Sequence, residues 1–433
     1  VGRAPIDERL SAGGFPPLPR TAWLEIDLGR LIGNLTTIRR VLPDGIRVEP
    51  VVKADAYGHG MIPVARALVE AAADGLCVAT LDEGLALRDA GIELPILVLY
   101  PVPPTLAPEA AARHLTLTAG DHELLARTLA AIRDADDALG VALDLQIEVE
   151  TGLGRGGFAS AEVPAVVEAI MAAPGVRLSG LWSHLAAPED GERTTDQGRR
   201  FQAVAELLGG GGVRLPRHLA ASGGILAGLV PPLEAVRPGL ALYGLVPDGL
   251  SMPPDVAAFA ADLRPVLSIH ARPVRVADLP AGSGVGYGPS FVTARPSRIA
   301  TLPIGYGDGW VRAWSNRTEA LVRGLRVPLV GTVAMDAVMA DVTDVPGRPV
   351  SVDDEFVLLG EQGAERIHAG ELARSRTTIS WEVVTAMSRR LPRVYDAPAG
   401  AIGLRTLTFE RYRWPHGSSS GTATSATSRS TPS

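Results

Sequence analysis

Val51-Val52-Lys53-Ala54-Asp55-Ala56-Tyr57-Gly58-His59-Gly60 ends an apolar run and passes at once into small and polar residues. The run over 48–52 reads as a buried strand, and a helical pattern follows over 63–73. Outward from there the alternation repeats. Apolar runs at 76–79, 96–99, 115–117, 141–149, 178–182, 218–220 and around Val236 supply seven more strands. Helical patterns at 81–89, 123–135 and 161–172 lie between them. Eight strands with interleaved helices predict an α/β chain whose simplest closed form is a (β/α)8 barrel of the TIM type. An open doubly wound sheet is the competing reading.

Upstream, 23–28 reads as a strand, and Leu28, Leu31, Ile32, Leu35, Ile38 and Leu42 recur at helical spacing before Pro43. Downstream, a Pro-rich stretch over 246–254 marks a boundary. Runs at 263–276, 298–304, 320–330, 338–342 and 355–359 then read as strands, with a helical segment over 379–390. This predicts a barrel domain over 21–250 and a mainly antiparallel β domain over 251–412. Residues 1–20 read as an irregular lead-in. The tail over 413–433 is mostly Ser, Thr, Gly and Ala, and is expected to be disordered.

Lys53 is the only lysine, and the other 40 of the 41 basic residues are arginine. Arginine stays protonated and cannot act as an amine nucleophile, so one lysine at a strand end points to amine chemistry. A leftover surface lysine is the bland alternative. The chain has 433 residues, 46% of them hydrophobic, 21% charged, and a net charge of −7. No basic stripe suits nucleic acid, and no apolar stretch reaches membrane-spanning length. The single cysteine, Cys77, excludes a disulfide framework and suits a reducing cytoplasm. No signal peptide is visible.

The Val51–Gly60 stretch resembles the cofactor-lysine motif of the alanine racemase family, enzymes of fold type III that use pyridoxal 5'-phosphate (PLP). Four further stretches match in the family's order: Glu150–Arg155, Ala220–Gly224, Val236–Gly244 and Gly284–Phe291. Pro303–Trp310 and Gly331–Asp336 match as well. The resemblance implies that Lys53 carries PLP through its amine and serves as one of two bases. It implies that Tyr57, Ser222, Gly239 and Leu240 meet the phosphate. Arg155 would bond the phenolic oxygen, Arg237 would face the pyridine nitrogen, and His184 would support the second base. That base, Tyr287, would come from the other subunit of a homodimer with shared sites. Tyr306 would line the entrance, and Met335 would meet the substrate carboxylate, as would Arg155. A small amino acid is the implied substrate, with D-alanine supply as the outcome.

Taken alone, several of these residues read plainly: Arg155 as a loop arginine, Ser222 as part of a turn, His184 as a structural histidine. Asp308 and Asp336 read as turn-formers, and no metal is expected. Three positions depart from the family. Glu148 stands where a lysine, often carbamylated, usually holds the arginine; a glutamate offers the same kind of anion on a shorter stem, so it is expected to pair with Arg155. Ala221 replaces an asparagine. Arg389 replaces a tyrosine that touches phosphate. Arg237, a donor-only cation, disfavours a protonated ring nitrogen and argues against a decarboxylase, where a carboxylate stands instead. The alternatives are a racemase of serine or another small amino acid, a decarboxylase or aldolase on this scaffold, a PLP-carrier protein, and a sugar-phosphate barrel enzyme.

Overall fold

Eight short parallel strands follow one another around a ring. In the computed structural model, which describes residues 4–398 and 400–414, these are Arg47–Val48, Leu76–Val78, Ile96–Val98, Thr116–Ala119, Leu143–Glu150, Val176–Trp182, Arg217–Ala221 and Ala235–Arg237. They pair side by side in chain order, and the eighth returns to the first with Val236 beside Val48. The join between first and second is made just past the first ladder. Val51 bridges Cys77, with the Val52 N–H donating to Cys77 O at 2.9 Å and the Cys77 N–H to Pro50 O at 2.9 Å. The expected barrel is therefore present.

The second and third strands are buried along their whole length. That is why they read as unbroken apolar runs rather than as alternating ones. Helices return the chain between strands, and their ends are marked locally. Asp121 caps His122–Leu139 by accepting from the Leu124 N–H at 2.9 Å, and Gly140 closes that helix at φ +63°.

The chain divides into two units, one of residues 30–57 and 64–264, the other of the described residues among 1–29, 58–63 and 265–433. The first contains the barrel. The boundary expected near 250 falls later because Pro254–Ala260 is helical and the backbone at Arg264 is tied to Asn34. Asn34 accepts the Arg264 N–H at 2.8 Å and donates to its carbonyl at 2.8 Å.

The second unit is a twelve-stranded, mainly antiparallel sheet. Two expected strands are each two. The run over 263–276 divides into Leu267–Ala271 and Arg275–Leu279, and that over 320–330 into the hairpin Glu319–Val322 with Leu325–Val330. The strand Ala22–Asp27, expected in the barrel domain, lies in this sheet, antiparallel to Leu267–Ala271 and parallel to Arg393–Ala397. The helix expected over 379–390 is only Ser380–Thr385.

The lead-in is not irregular throughout: Ile6–Ala12 is a helix. Its Ile6 and Leu10 pack with Phe15, Trp23, Val394 and Leu404, and Arg9 bridges Glu25 and Asp396. Ile6 and Leu10 are four apart, one helical turn, so a single short helix buries both. Residues 415–433 of the expected tail lie outside the described residues. Among the described residues no helix is long and apolar enough to cross a membrane.

Candidate active site

Lys53 begins immediately after the Val51 and Val52 contacts that close the barrel. The chain then does something L-residues rarely do. Ala54, Asp55 and Ala56 take φ of 55°, 54° and 55° with ψ of 51°, 44° and 53°, and Tyr57 follows at φ 53°. This is a left-handed helical turn built without glycine, at a cost of roughly 1–2 kcal/mol per residue. Surrounding bonds hold it. The Ala54 N–H donates to Glu83 at 2.6 Å, and the Ala56 N–H to Val52 O at 2.9 Å. The Tyr57 ring packs on Tyr243, centroids 5.0 Å apart, whose hydroxyl donates to Val51 O at 3.0 Å. A left-handed helix also has about 3.6 residues per turn, so Lys53 and Tyr57 stand roughly one turn apart along this segment.

The remaining barrel residues of the expected set follow strand ends. Arg155 comes after Leu143–Glu150, His184 after Val176–Trp182, Ser222 after Arg217–Ala221, and Arg237 ends Ala235–Arg237. This gathers them with Lys53 at the C-terminal mouth of the strands, where barrels of this type place their sites. Burial pushes the Lys53 amine below its ordinary range, and the Arg155 and Arg237 guanidiniums push it further. An amine so placed loses its proton more readily than one in water, as a nucleophile or base must.

Arg155 donates to Glu148 at 2.8 Å. The carboxylate is 8% exposed and the guanidinium 30%. Arg237 is fully enclosed. It donates to Ser183 O at 2.7 Å and His218 O at 3.1 Å, and it also meets the His218 Nδ1. A guanidinium can only donate, so Nδ1 accepts, and the ring proton sits on Nε2, 2.6 Å from Gln146 Oε1. Burial and Arg237 hold His218 well below its usual range, which keeps it neutral. Burial, then Arg237, Arg155 and Lys53, depress His184 to about 3.

At the other side Ser222 Oγ accepts the N–H groups of Gly239 at 2.9 Å and Ala241 at 3.0 Å. Leu240, between these two amides, opens the turn Leu240–Tyr243. A Cβ on Gly239 would stand 2.6 Å from the Tyr57 hydroxyl, so only glycine leaves this cradle open.

These residues fit PLP. There is an amine poised to react, a cradle of hydroxyls and backbone N–H groups for a phosphate, and two donor-only guanidiniums for a phenolic oxygen and a ring nitrogen. A further donor is waiting. The Trp182 indole N–H is buried and has no acceptor among the described residues. Its ring lies against both cations, 5.0 Å from Arg237 and 5.9 Å from Arg155, and stacks on His218 at 6.3 Å.

Trp182, His218, Gln146 and Gln197 were not singled out from the sequence. Buried Gln197 donates to Thr151 at 3.0 Å and to His184 O at 3.1 Å, and accepts the Ala186 N–H at 2.8 Å. It ties the segment leading to Arg155 to the one carrying His184. Period-two spacing was the available signal for one of them: Gln146 precedes Glu148 by two residues on the strand Leu143–Glu150.

The other four expected residues belong to the second unit. Tyr287 is 74% exposed in the loop after Gly284, and Tyr306 and Met335 are exposed as well. Arg389 is exposed. Its neighbour Arg390 donates to Asp308 at 2.7 Å, Asp336 at 2.6 Å and Met335 O at 3.4 Å. Asp308 also accepts from Arg20 at 2.7 Å and from the Gly305 N–H at 3.1 Å. Arg20 and Arg390 hold its carboxyl below the usual range against the opposing effect of burial. No group of three or more potential metal ligands exists among the described residues.

Residues 26–247 match the family description "Alanine racemase, N-terminal domain", and residues 266–395 match "Alanine racemase, C-terminal domain". The alanine racemase of Halothermothrix orenii is 38% identical over 386 residues, covering 88% of this chain and 99% of that protein. That of Symbiobacterium thermophilum is 41% identical over 379 residues, 87% and 97% of the two. The solved alanine racemase from Bacillus anthracis with bound L-Ala-P superposes with a TM-score of 0.81 at 32% identity, covering 90% of this chain and 99% of that one. A histidine racemase from Leuconostoc mesenteroides superposes with a TM-score of 0.78 at 28% identity, covering 88% and 99%. With both domains matched in order and most of each relative's length covered, the chain belongs to the alanine racemase family.

Proposed function

We propose that this protein interconverts L-alanine and D-alanine, using PLP and two bases on opposite faces of the substrate. One observation carries the reading: the only lysine follows the first barrel strand, with its proton affinity lowered by burial beside Arg155 and Arg237.

Lys53 would hold the cofactor through its amine. Tyr57, Ser222 and the backbone N–H groups of Gly239, Leu240 and Ala241 would receive the phosphate. When bound, PLP supplies a conjugated ring that acidifies the Cα–H of an amino acid joined to it. The chain's own residues do the rest. Arg155, oriented by Glu148, would donate to the phenolic oxygen and to the substrate carboxylate, and Met335 would also meet that carboxylate. Arg237, braced by neutral His218, would face the ring nitrogen with hydrogens only. A partner that only donates would disfavour a proton on that nitrogen, which would limit the ring's pull on charge and favour prompt return of the proton. Lys53 moves a proton on one face. Tyr287 of a second copy moves it on the other, with neutral His184 as its support and Tyr306 at the entrance. The 74% exposure of Tyr287 suits a side chain lent to a neighbour. The enzyme would then be a homodimer with shared sites. A single free cysteine suits the cytoplasm. Arg389, which is exposed, would add a contact to the phosphate.

Incubating the cofactor-loaded protein with L-alanine in deuterium oxide tests this. Loss of optical rotation with deuterium at Cα is expected, and Lys53→Ala should abolish it together with the absorbance of the bound cofactor. Retention of either in Lys53→Ala refutes the assignment. A racemase of serine or another small amino acid is the second reading. It is favoured by Glu148, Ala221 and Arg389, where the chain leaves the family pattern, and by the likeness to a histidine racemase. Initial rates across a panel of amino acids separate the two.

A further inference from the structure

We propose that Asn316 is a positioning residue for Tyr287: its side chain clamps both flanks of the loop that presents the phenol. The inference rests on the reading of Tyr287 as a base.

The loop has two kinds of anchor. One is apolar: Val285 is buried with Ile299 and Val330, and Phe291 packs against the same cluster. The Val285 N–H donates to Phe291 O at 3.0 Å, and Gly284 bridges Val292. These fix the ends of the loop and leave Tyr287 outside. The other anchor is polar and starts at Asn316, which takes φ +56°, a conformation asparagine tolerates better than most residues. Its amide NH2 donates to Ser290 Oγ at 3.0 Å, and its amide oxygen accepts the Gly331 N–H at 2.6 Å. Ser290 Oγ also meets Thr332 Oγ1 at 3.0 Å.

Ser290 lies three residues after Tyr287. Gly331 lies under the residue two before it: a Cβ on Gly331 would stand 2.5 Å from Val285 O. Gly286, next to the phenol, bridges Thr332. One amide group therefore fixes the strand end at 331–332 and, through Ser290, the far side of the loop. Gly286 and Gly288, on either side of Tyr287, sit at φ +79° and +51°. Two glycines there leave the loop free to swing unless something outside it supplies the constraint. A base must stay within hydrogen-bond reach of its proton, so that freedom would cost rate directly.

The variants follow from the geometry. Asn316→Gly suits the positive φ and removes both side-chain bonds. Asn316→Asp retains an acceptor for the Gly331 N–H and another for the Ser290 hydroxyl, and should rescue. Two readouts are taken on the cofactor-loaded enzyme. The first is backbone amide exchange over 284–292. The second is the ratio of Cα–H exchange without inversion, which Lys53 alone can perform, to racemisation. Asn316→Gly is expected to speed amide exchange at least tenfold and to raise that ratio at least fivefold, with KM changed less than threefold. Asn316→Asp should return both to within threefold of the parent. Unchanged amide exchange overturns the clamp. Faster amide exchange with an unchanged ratio overturns its link to catalysis. Tyr287→Phe, run alongside, must raise the ratio too. If it does not, the reading of Tyr287 as a base fails, and amide exchange alone then decides whether Asn316 holds the loop.

Discussion

Glu148→Gln is the most informative perturbation of the barrel site, because it keeps shape and removes one charge. The carboxylate lies 2.8 Å from Arg155, nearly enclosed, in a site that also holds Lys53 and Arg237. Removing one partner from a fully buried pair costs about 3–5 kcal/mol, whereas an exposed pair contributes about 0–1 kcal/mol. Arg155 is 30% exposed, so water compensates part of its loss. A hydrogen bond to a charged group is worth about 1.5–3 kcal/mol. Taken together these place the coupling between Glu148 and Arg155 at about 2 kcal/mol. The assay is a double-mutant cycle with Glu148→Gln and Arg155→Gln, read by urea unfolding. For a unit of this size the single Glu148→Gln change should lower Tm by roughly 4–8 °C. Added salt should change the coupling little, since a buried pair is poorly screened. Activity should not depend on carbon dioxide, because the anion is built into the side chain. A coupling below about 0.5 kcal/mol, or unchanged kinetics in Glu148→Ala, would refute the pairing argument.

Two other consequences can be measured. His184 and His218 have folded-state affinities for protons far below the unfolded value, so the unfolded chain gains protons first and stability falls as pH drops below about 6.5. Each should cost about 1.4 kcal/mol at pH 5.5 relative to pH 7.5, and His184→Gln should remove about half of the combined loss. Glu49, whose carboxyl is pushed up by burial, works the other way but nearer the carboxylate range. Denaturation midpoints at the two pH values check this, and a flat profile would contradict it. Separately, Ala54→Gly relieves a positive-φ cost of roughly 1–2 kcal/mol against a loss of roughly 0.4–1 kcal/mol through the unfolded chain. It should raise stability by about 0.5 kcal/mol in urea melts, and destabilisation would show that the left-handed turn is not strained.

Much of the site was legible because its signals are local. A lone lysine among arginines at the end of an apolar run marks itself, whereas Arg155 and Arg237 are picked out from the other arginines by the family resemblance. Glu148 was legible as a partner only through the family resemblance, because it offers an anion where the family's lysine stands. Other features carried no such signal. Nothing in Ala54-Asp55-Ala56-Tyr57 announces four positive φ values, since none is glycine. The ion pairs of Arg390 with Asp308 and Asp336 join positions more than fifty residues apart, which no local pattern announces.

The sequence by itself determined the order of strands and helices, and with it the barrel, because apolar period and turn residues act over a few positions. It determined the one amine on offer too, while the family resemblance picked out two donor-only cations and a phenol after glycine. Tertiary structure decided which sheet received the strand Ala22–Asp27, which amide met Ser222, and which indole lay between the arginines. Those choices depend on surfaces brought together from distant positions, where burial and unmet hydrogen bonds, not local preference, fix the outcome.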